Sequence, residues 1–354
     1  MAQPRKALVC VESTPYYHCI SRCVRRAFLC GADSTSGRSY EHRRRWMRER
    51  LAALSQVFAI ELCAYALMSN HYHLVLRLRP ERVAEWSDEE VITRWTRLFS
   101  EPSLISRYRK GDAMTCDERS RVCATLETWR ERLGDLSWYM RCLNEYIARR
   151  ANAEEGVTGH FWEARFKSQA LLDTAALLQA MVYVDLNPVR AGMAATIGES
   201  IYTAAQQRML PDRRSSPADR DTRFPSLAQL RERSEAPEID ALPFGRVDYL
   251  NLVDATGRCC VPGKRGSISG DESYLLSSLG FDPGVWVSHM RTSVRSRYPA
   301  VGSREHLRRH AARLNRAWVH GVGRMFALRR DGHVSSGIPG RSFLPIQHSA
   351  RGEV

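Results

Sequence analysis

Apolar positions along the chain switch between two periods, and the switches outline strands alternating with helices. Residues 15–22, Pro-Tyr-Tyr-His-Cys-Ile-Ser-Arg, have the composition of a strand. Residues 39–58 take helical spacing, with a basic cluster at Arg43-Arg44-Arg45-Trp46-Met47-Arg48 and an apolar stripe beyond it. Residues 57–66 and 71–78 predict two strands joined by a turn at Leu67-Met68-Ser69-Asn70. The second alternates: Tyr72, Leu74 and Leu76 suit a buried face, and His71 and His73 share the opposite one. A polar, helix-rich segment runs from Ser87 to about Leu136, and Ser87-Asp88-Glu89-Glu90 carries an N-cap signature. Another helix spans 137–153, and 159–168 reads as loop and strand. Asp173 opens a helix that Asn187-Pro188 closes, because the residue before a proline is pushed out of the helical region.

Pro211, Pro217 and Pro225 lie among Arg, Asp and Ser residues and predict a linker at 206–225. The implied organisation is a first domain over 1–205 with a helical insertion at about 80–136. An accessory domain over 226–332 and a tail over 333–354 follow the linker. A basic helix over 304–318 would present Leu307, Ala311, Leu314 and Trp318 on one face.

Composition adds a class of partner. The 354 residues are 44% hydrophobic and 26% charged, the balance of a chain that buries a core. No apolar run reaches the roughly 18–20 residues that span a bilayer, and the first residues lack a secretory apolar core. The expectation is a cytoplasmic protein with no membrane partner. Ten scattered cysteines contain no Cys-x-x-Cys pair, which favours reduced thiols over a zinc framework. The formal net charge of +14 points to a polyanion, nucleic acid before membrane. Four lysines stand among 53 basic residues, so 49 are arginine. Codon bias accounts for much of that ratio, but not for the 11 arginines against the single acid Glu305 in 291–330.

Two imidazoles on one strand face are candidate metal ligands. Tyr183 and Asn187, four apart on the helix begun by Asp173, add a phenol nucleophile and a hard oxygen ligand suited to Mg²⁺ or Mn²⁺. The bland reading of that pair is packing plus a helix end. No phosphate-binding Gly-x-x-x-x-Gly-Lys-Ser/Thr loop occurs.

Four motifs taken together resemble a known family. They are Tyr17-His18-x-Ile20-Ser21-Arg22, Met68-Ser69-Asn70-His71-Tyr72-His73-Leu74-Val75, Gly159-x-Phe161-Trp162-Glu163-x-Arg165-Phe166-Lys167-Ser168, and Tyr183-Val184-x-Leu186-Asn187-Pro188-Val189-Arg190-Ala191-Gly192. Their order and spacing over about residues 10–200 resemble the single-tyrosine HUH transposases of small insertion sequences, closest to the REP-associated tyrosine transposases. The resemblance implies an α+β fold: a ferredoxin-like antiparallel sheet with helices on one face, here followed by a mainly helical, basic C-terminal extension.

It further implies a divalent metal, Mg²⁺ or Mn²⁺, on His71, His73 and Asn187, with Gln179 as a rival for the polar ligand and a solvated helix face as that residue's blander reading. Tyr183 would be the nucleophile that cleaves and rejoins single-stranded hairpin DNA through a 5′-phosphotyrosine. The alternative is a hairpin-binding protein that does not cleave. Arg22, Arg165, Lys167 and Arg190 are candidate DNA contacts. Phe161, Trp162 and Phe166 are candidates for base stacking, with core packing the stronger expectation for at least two of them. His18 and His160 are expected to be structural histidines. The state of assembly is left between monomer and homodimer.

Overall fold

The computed structural model describes residues 8–24, 29–32, 37–210, 224–231, 240–260, 270–291, 298–317 and 319. Strand β1 (Tyr16–Arg22) leads to helix α1 (His42–Val57) and to the hairpin of β2 (Ile60–Leu67) and β3 (His71–Leu78). The hairpin turn is closed by the Met68 amide donating to the His71 carbonyl. Four helices follow: α2 (Pro80–Glu85), α3 (Asp88–Thr96), α4 (Ser103–Lys110) and α5 (Cys116–Gly134). The chain continues through α6 (Leu136–Glu155), β4 (Lys167–Leu171), α7 (Thr174–Asp185), α8 (Asn187–Arg190) and α9 (Ala204–Met209). The remainder comprises β5 (Leu230–Arg231), β6 (Leu242–Gly245), α10 (Arg246–Cys260), α11 (Gly270–Ser278), α12 (Pro283–Arg291), β7 (Ala300–Val301) and α13 (Arg304–Arg313).

The main sheet has the order β2-β3-β1-β4-β7. Each adjacent pair among the first four of these strands is antiparallel. Together with α1 and α6 they form a β-α-β-β-α-β unit with the central pairing β1–β3 that a ferredoxin-like arrangement requires. Two features differ from the expectation. β7 runs parallel to β4, so the sheet is mixed. Helices also cover both faces rather than one. Tyr72 points to α6, donating to Asn144 Oδ1 at 2.5 Å. Its neighbour His73 points the other way, into ring contact with Tyr183 of α7. A period-2 strand explains the split, since adjacent residues face opposite sides. A helix as apolar as α7, with ten of its twelve residues buried, demands cover all round.

The segment between β3 and α6 packs its own aromatic stack. Trp95 and Trp129 lie 5.0 Å apart with planes 9° from parallel. Ser87 caps α3 by accepting from the Glu90 amide, and Thr115 with Glu118 forms a capping box on α5. The basic C-terminal helix is shorter than its apolar spacing predicts. Leu307 and Ala311 are buried as expected, but α13 stops at Arg313. Asn315 takes a left-handed φ of 52°, and the Arg316 amide reaches back to the Ala311 carbonyl at 2.9 Å. That is a Schellman end with asparagine in the position that glycine usually fills. The Trp318 side chain, the tail and most of the linker lie outside the described residues.

The C-terminal part is tied to the start of α7 through Asp173. One carboxylate oxygen accepts from the Ala176 amide at 2.8 Å and caps α7. The other accepts from the Ser303 amide at 2.7 Å, at the N-cap of α13. Asp173→Ala removes both, and the expected cost is about 2 kcal/mol, a lost cap plus an orphaned amide. Urea unfolding of the variant should show a lowered midpoint at unchanged slope; a cost under about 0.5 kcal/mol would mean that this double cap does not hold the two helices together.

Candidate active site

The strand register gathers the site. Arg22 pairs with His71, Ile20 with His73 and His18 with Val75 across β1 and β3. On the other side of β1, His18 pairs with Gln169 and Ile20 with Lys167. Opposed residues share a face. One sheet face therefore carries His18, His71, His73, Gln169, Arg22 and Lys167, and α7 packs across it.

The imidazoles form a cluster. His71 and His73 have ring centroids 4.9 Å apart. His18 stacks on His73 at 5.1 Å, with its Nε2 2.9 Å from His73 Nδ1. Tyr183 meets both inner rings edge-on, 5.8 Å from His73 and 6.2 Å from His18. It is half-buried while its neighbours in α7 are buried. The Arg190 guanidinium lies over the Tyr183 ring at 4.7 Å.

Asn187 sits just past the end of α7, in the one-turn helix α8, joined through Leu186 in helical conformation. The helix is thus interrupted at Leu186, between the two residues, and Pro188 falls in the first turn of α8, where its missing amide is tolerated. Asn187 is 9% exposed, and its amide nitrogen has no hydrogen-bond partner among the described residues. Gln179, read from sequence as a solvated position, is buried at 7%. The apolar surroundings of α7 override its polarity.

The fixed charges that act on the cluster, Arg22 on His71 and Arg190 on His73, are positive. Burial pushes the pKa of His18 down to about 4. Burial, then the Arg22 guanidinium, pushes His71 down to about 4. His73 is driven well below the usual histidine range by burial, then by His18, His71 and Arg190. All three rings are neutral at pH 7, the form that binds a metal.

Among the described residues no three His, Cys, Asp or Glu side chains are grouped as metal ligands. His18 cannot supply a third nitrogen, because its Nε2 is engaged with His73. His71 Nδ1 lies 2.6 Å from Asn70 Oδ1, an acceptor that places the ring proton on Nδ1 and leaves Nε2 bare. Two imidazoles and the side-chain oxygen of Asn187, whose amide nitrogen is the orphaned end, would make an N,N,O donor set, which suits a hard or borderline cation that keeps open positions for substrate. The residues present fit.

The remaining candidates separate. Arg22 and Lys167 are exposed at the edge of this face, and Arg165 is exposed in the loop before β4. Trp162 donates from its indole to the Asn144 carbonyl at 2.9 Å and packs edge-on against Tyr72, on the face away from the histidines. Phe161 packs on Trp162, and Phe166 is buried. His160 is exposed. His18 is the residue that sequence reasoning undervalued. Its signal was parity: in an antiparallel β1–β3 pair it falls two positions from Ile20, the partner of His73, and so on the same face.

No protein-family model matches the chain, and no curated protein matches it. Among solved structures, a REP-associated tyrosine transposase bound to a REP hairpin is similar at a TM-score of 0.35 and 13% identity, over 62% of this chain and 90% of that one.

Proposed function

We propose that this protein is a metal-dependent DNA strand transferase that cleaves and rejoins single-stranded hairpin DNA through a phosphotyrosine at Tyr183, as a transposase does. The observation that carries this reading is the contact of the Tyr183 ring with His73 and His18, beneath the Arg190 guanidinium. A phenol beside two neutral imidazoles with a bare nitrogen and a fixed cation is an arrangement for attack on a phosphodiester.

His71, His73 and Asn187 would hold Mg²⁺ or Mn²⁺. When bound, the cation polarises the scissile phosphate and offsets the charge that develops on it. Tyr183 Oη forms a bond to phosphorus as the bond from phosphorus to the 3′-oxygen breaks. The phenol gives up its proton, and the departing oxygen takes one up as a free 3′-hydroxyl. The strand stays attached by a 5′-phosphotyrosine. Attack by a 3′-hydroxyl on that ester restores a phosphodiester and frees the phenol. One ester replaces another at each step, so no nucleotide hydrolysis is needed. Arg22 and Lys167, exposed at the rim of the same face, and Arg165, exposed before β4, would neutralise backbone phosphates.

The test is incubation of the full chain with labelled single-stranded hairpins from the flanks of its own gene, with and without Mn²⁺. A covalent protein–DNA adduct that needs the metal is expected, and peptide mapping should place it on 174–190. Tight hairpin binding with no adduct under any condition would replace this reading with that of a non-cleaving hairpin-binding protein.

A further inference from the structure

The hydrogen bonds behind His73 form a directional chain whose last link, from Gln169 to the Tyr298 carbonyl, spans 129 residues of sequence. Gln169 Nε2 donates to the Tyr298 carbonyl at 2.9 Å. A backbone carbonyl can only accept, so it fixes which end of the Gln169 amide is the nitrogen. The amide oxygen is then the end left for His18, the cross-strand partner of Gln169 on the same sheet face. An amide oxygen cannot donate. His18 must therefore donate to it, and with Nε2 turned to His73 the donor is Nδ1. A neutral imidazole carries one proton, so His18 Nε2 is a lone pair. The 2.9 Å contact with His73 Nδ1 then requires the proton on His73 Nδ1, and His73 Nε2 is left bare.

We infer that His18 and Gln169 form a relay that fixes the tautomer of His73, anchored by the Tyr298 carbonyl in the C-terminal part of the chain. His18 is a positioning residue in this relay; it touches neither metal nor DNA. The relay explains why a buried imidazole stands behind a metal-ligand candidate where a carboxylate is commonly found: an imidazole passes on orientation without adding charge. It also gives the β4–β7 pairing a role at the site. The Ala170 amide donates to the Pro299 carbonyl and the Leu172 amide to the Val301 carbonyl, both at 2.8 Å, which holds the Tyr298 carbonyl in place beside Gln169.

The value of a bare His73 Nε2 rests on the metal-site reading, but the tautomer itself does not. The test therefore has two arms on the full-length protein. In the first, the protein is labelled with ¹⁵N-histidine and examined at pH 8 without metal by long-range nitrogen–proton correlation, with His73 assigned by comparison with His73→Gln. A protonated Nδ1 and a bare Nε2 are expected on His73, and that preference should be lost in both His18→Leu and Gln169→Leu. In the second arm, Mn²⁺ alone is titrated without DNA. His18→Leu should weaken binding about 10- to 100-fold. His18→Gln should stay within about threefold of the parent, because glutamine offers an acceptor to His73 and a donor to Gln169. If His18→Leu does not fold, Gln169→Leu and His18→Gln carry the comparison. A proton on His73 Nε2 in the parent, or a tautomer unchanged in the variants, overturns the relay. A correct tautomer in a protein that binds no Mn²⁺ upholds the relay and removes the metal reading instead.

Discussion

Tyr183→Phe is expected to abolish the covalent protein–DNA adduct while leaving the chain folded and still able to bind hairpin DNA. The phenyl ring keeps the edge contacts to His73 and His18 and the face under Arg190, since these use the ring and not the hydroxyl. No hydrogen bond to the Tyr183 hydroxyl is found among the described residues, so its loss strands no partner. Stability should stay within about 1 kcal/mol of the parent, as for substitutions that open no cavity and orphan no polar group. Strand cleavage should fall by at least about 10⁴-fold, the scale of losing a nucleophile outright. No second tyrosine stands one turn away to rescue it, because Gln179 and Asn187 fill those places. An adduct that persists at the parent's level in Tyr183→Phe would put the nucleophile on another hydroxyl and end the reading of α7 as the catalytic helix. A variant that loses hairpin affinity to the same degree as cleavage would make Tyr183 a binding residue instead.

How much of this could be read in the sequence differs by residue. Alternation placed His71 and His73 on one face and Tyr72 on the other, and the structure keeps that division through His73–Tyr183 and Tyr72–Asn144. Asp173 and Ser87 were legible as caps because capping depends on a few adjacent residues. His18 was not, because its role depends on the register between strands about 50 residues apart in sequence. A lone histidine on a half-buried strand looks the same with or without a partner. The stop of α13 was missed for a different reason. An asparagine inside an apolar helical period carries no sign that it will turn left-handed until the next carbonyls are placed. The parallel strand β7 has two residues and no pattern of its own. Only its partner β4 makes it a strand.

The largest stability effect is expected at Asp185, two residues beyond the candidate nucleophile. Its carboxylate is fully buried, accepting from the Tyr249 hydroxyl of α10 at 2.5 Å and from the Ala205 amide of α9 at 3.0 Å. Burial dominates its titration and pushes the pKa up from 3.8 to about 6, although Arg208, Tyr249 and Ala205 pull the other way. The folded state thus holds this proton more tightly than the unfolded chain does. The stability the group contributes is complete below pH 4 and is lost as pH rises through about 6, an effect on the order of 3 kcal/mol. His18 works in the opposite sense over nearly the same window. With its pKa depressed to about 4, the folded state refuses a proton that the unfolded chain accepts below about 6.5, so stability rises with pH. The two slopes oppose each other, and the parent should show little net dependence from them. Asp185→Asn keeps the shape and both hydrogen bonds, since an amide can accept from Ala205 and donate to the Tyr249 oxygen. Its stability relative to the parent should climb by about 3 kcal/mol from pH 4 to pH 7, read by urea unfolding at each pH. Tyr249→Phe should do the reverse at pH 7, costing about 2–3 kcal/mol by leaving a buried carboxylate short of a donor, and less at pH 4, where that group is protonated. A difference between Asp185→Asn and the parent that stays flat with pH would mean that the buried carboxylate titrates normally, and that α10 is docked on α7 by packing alone.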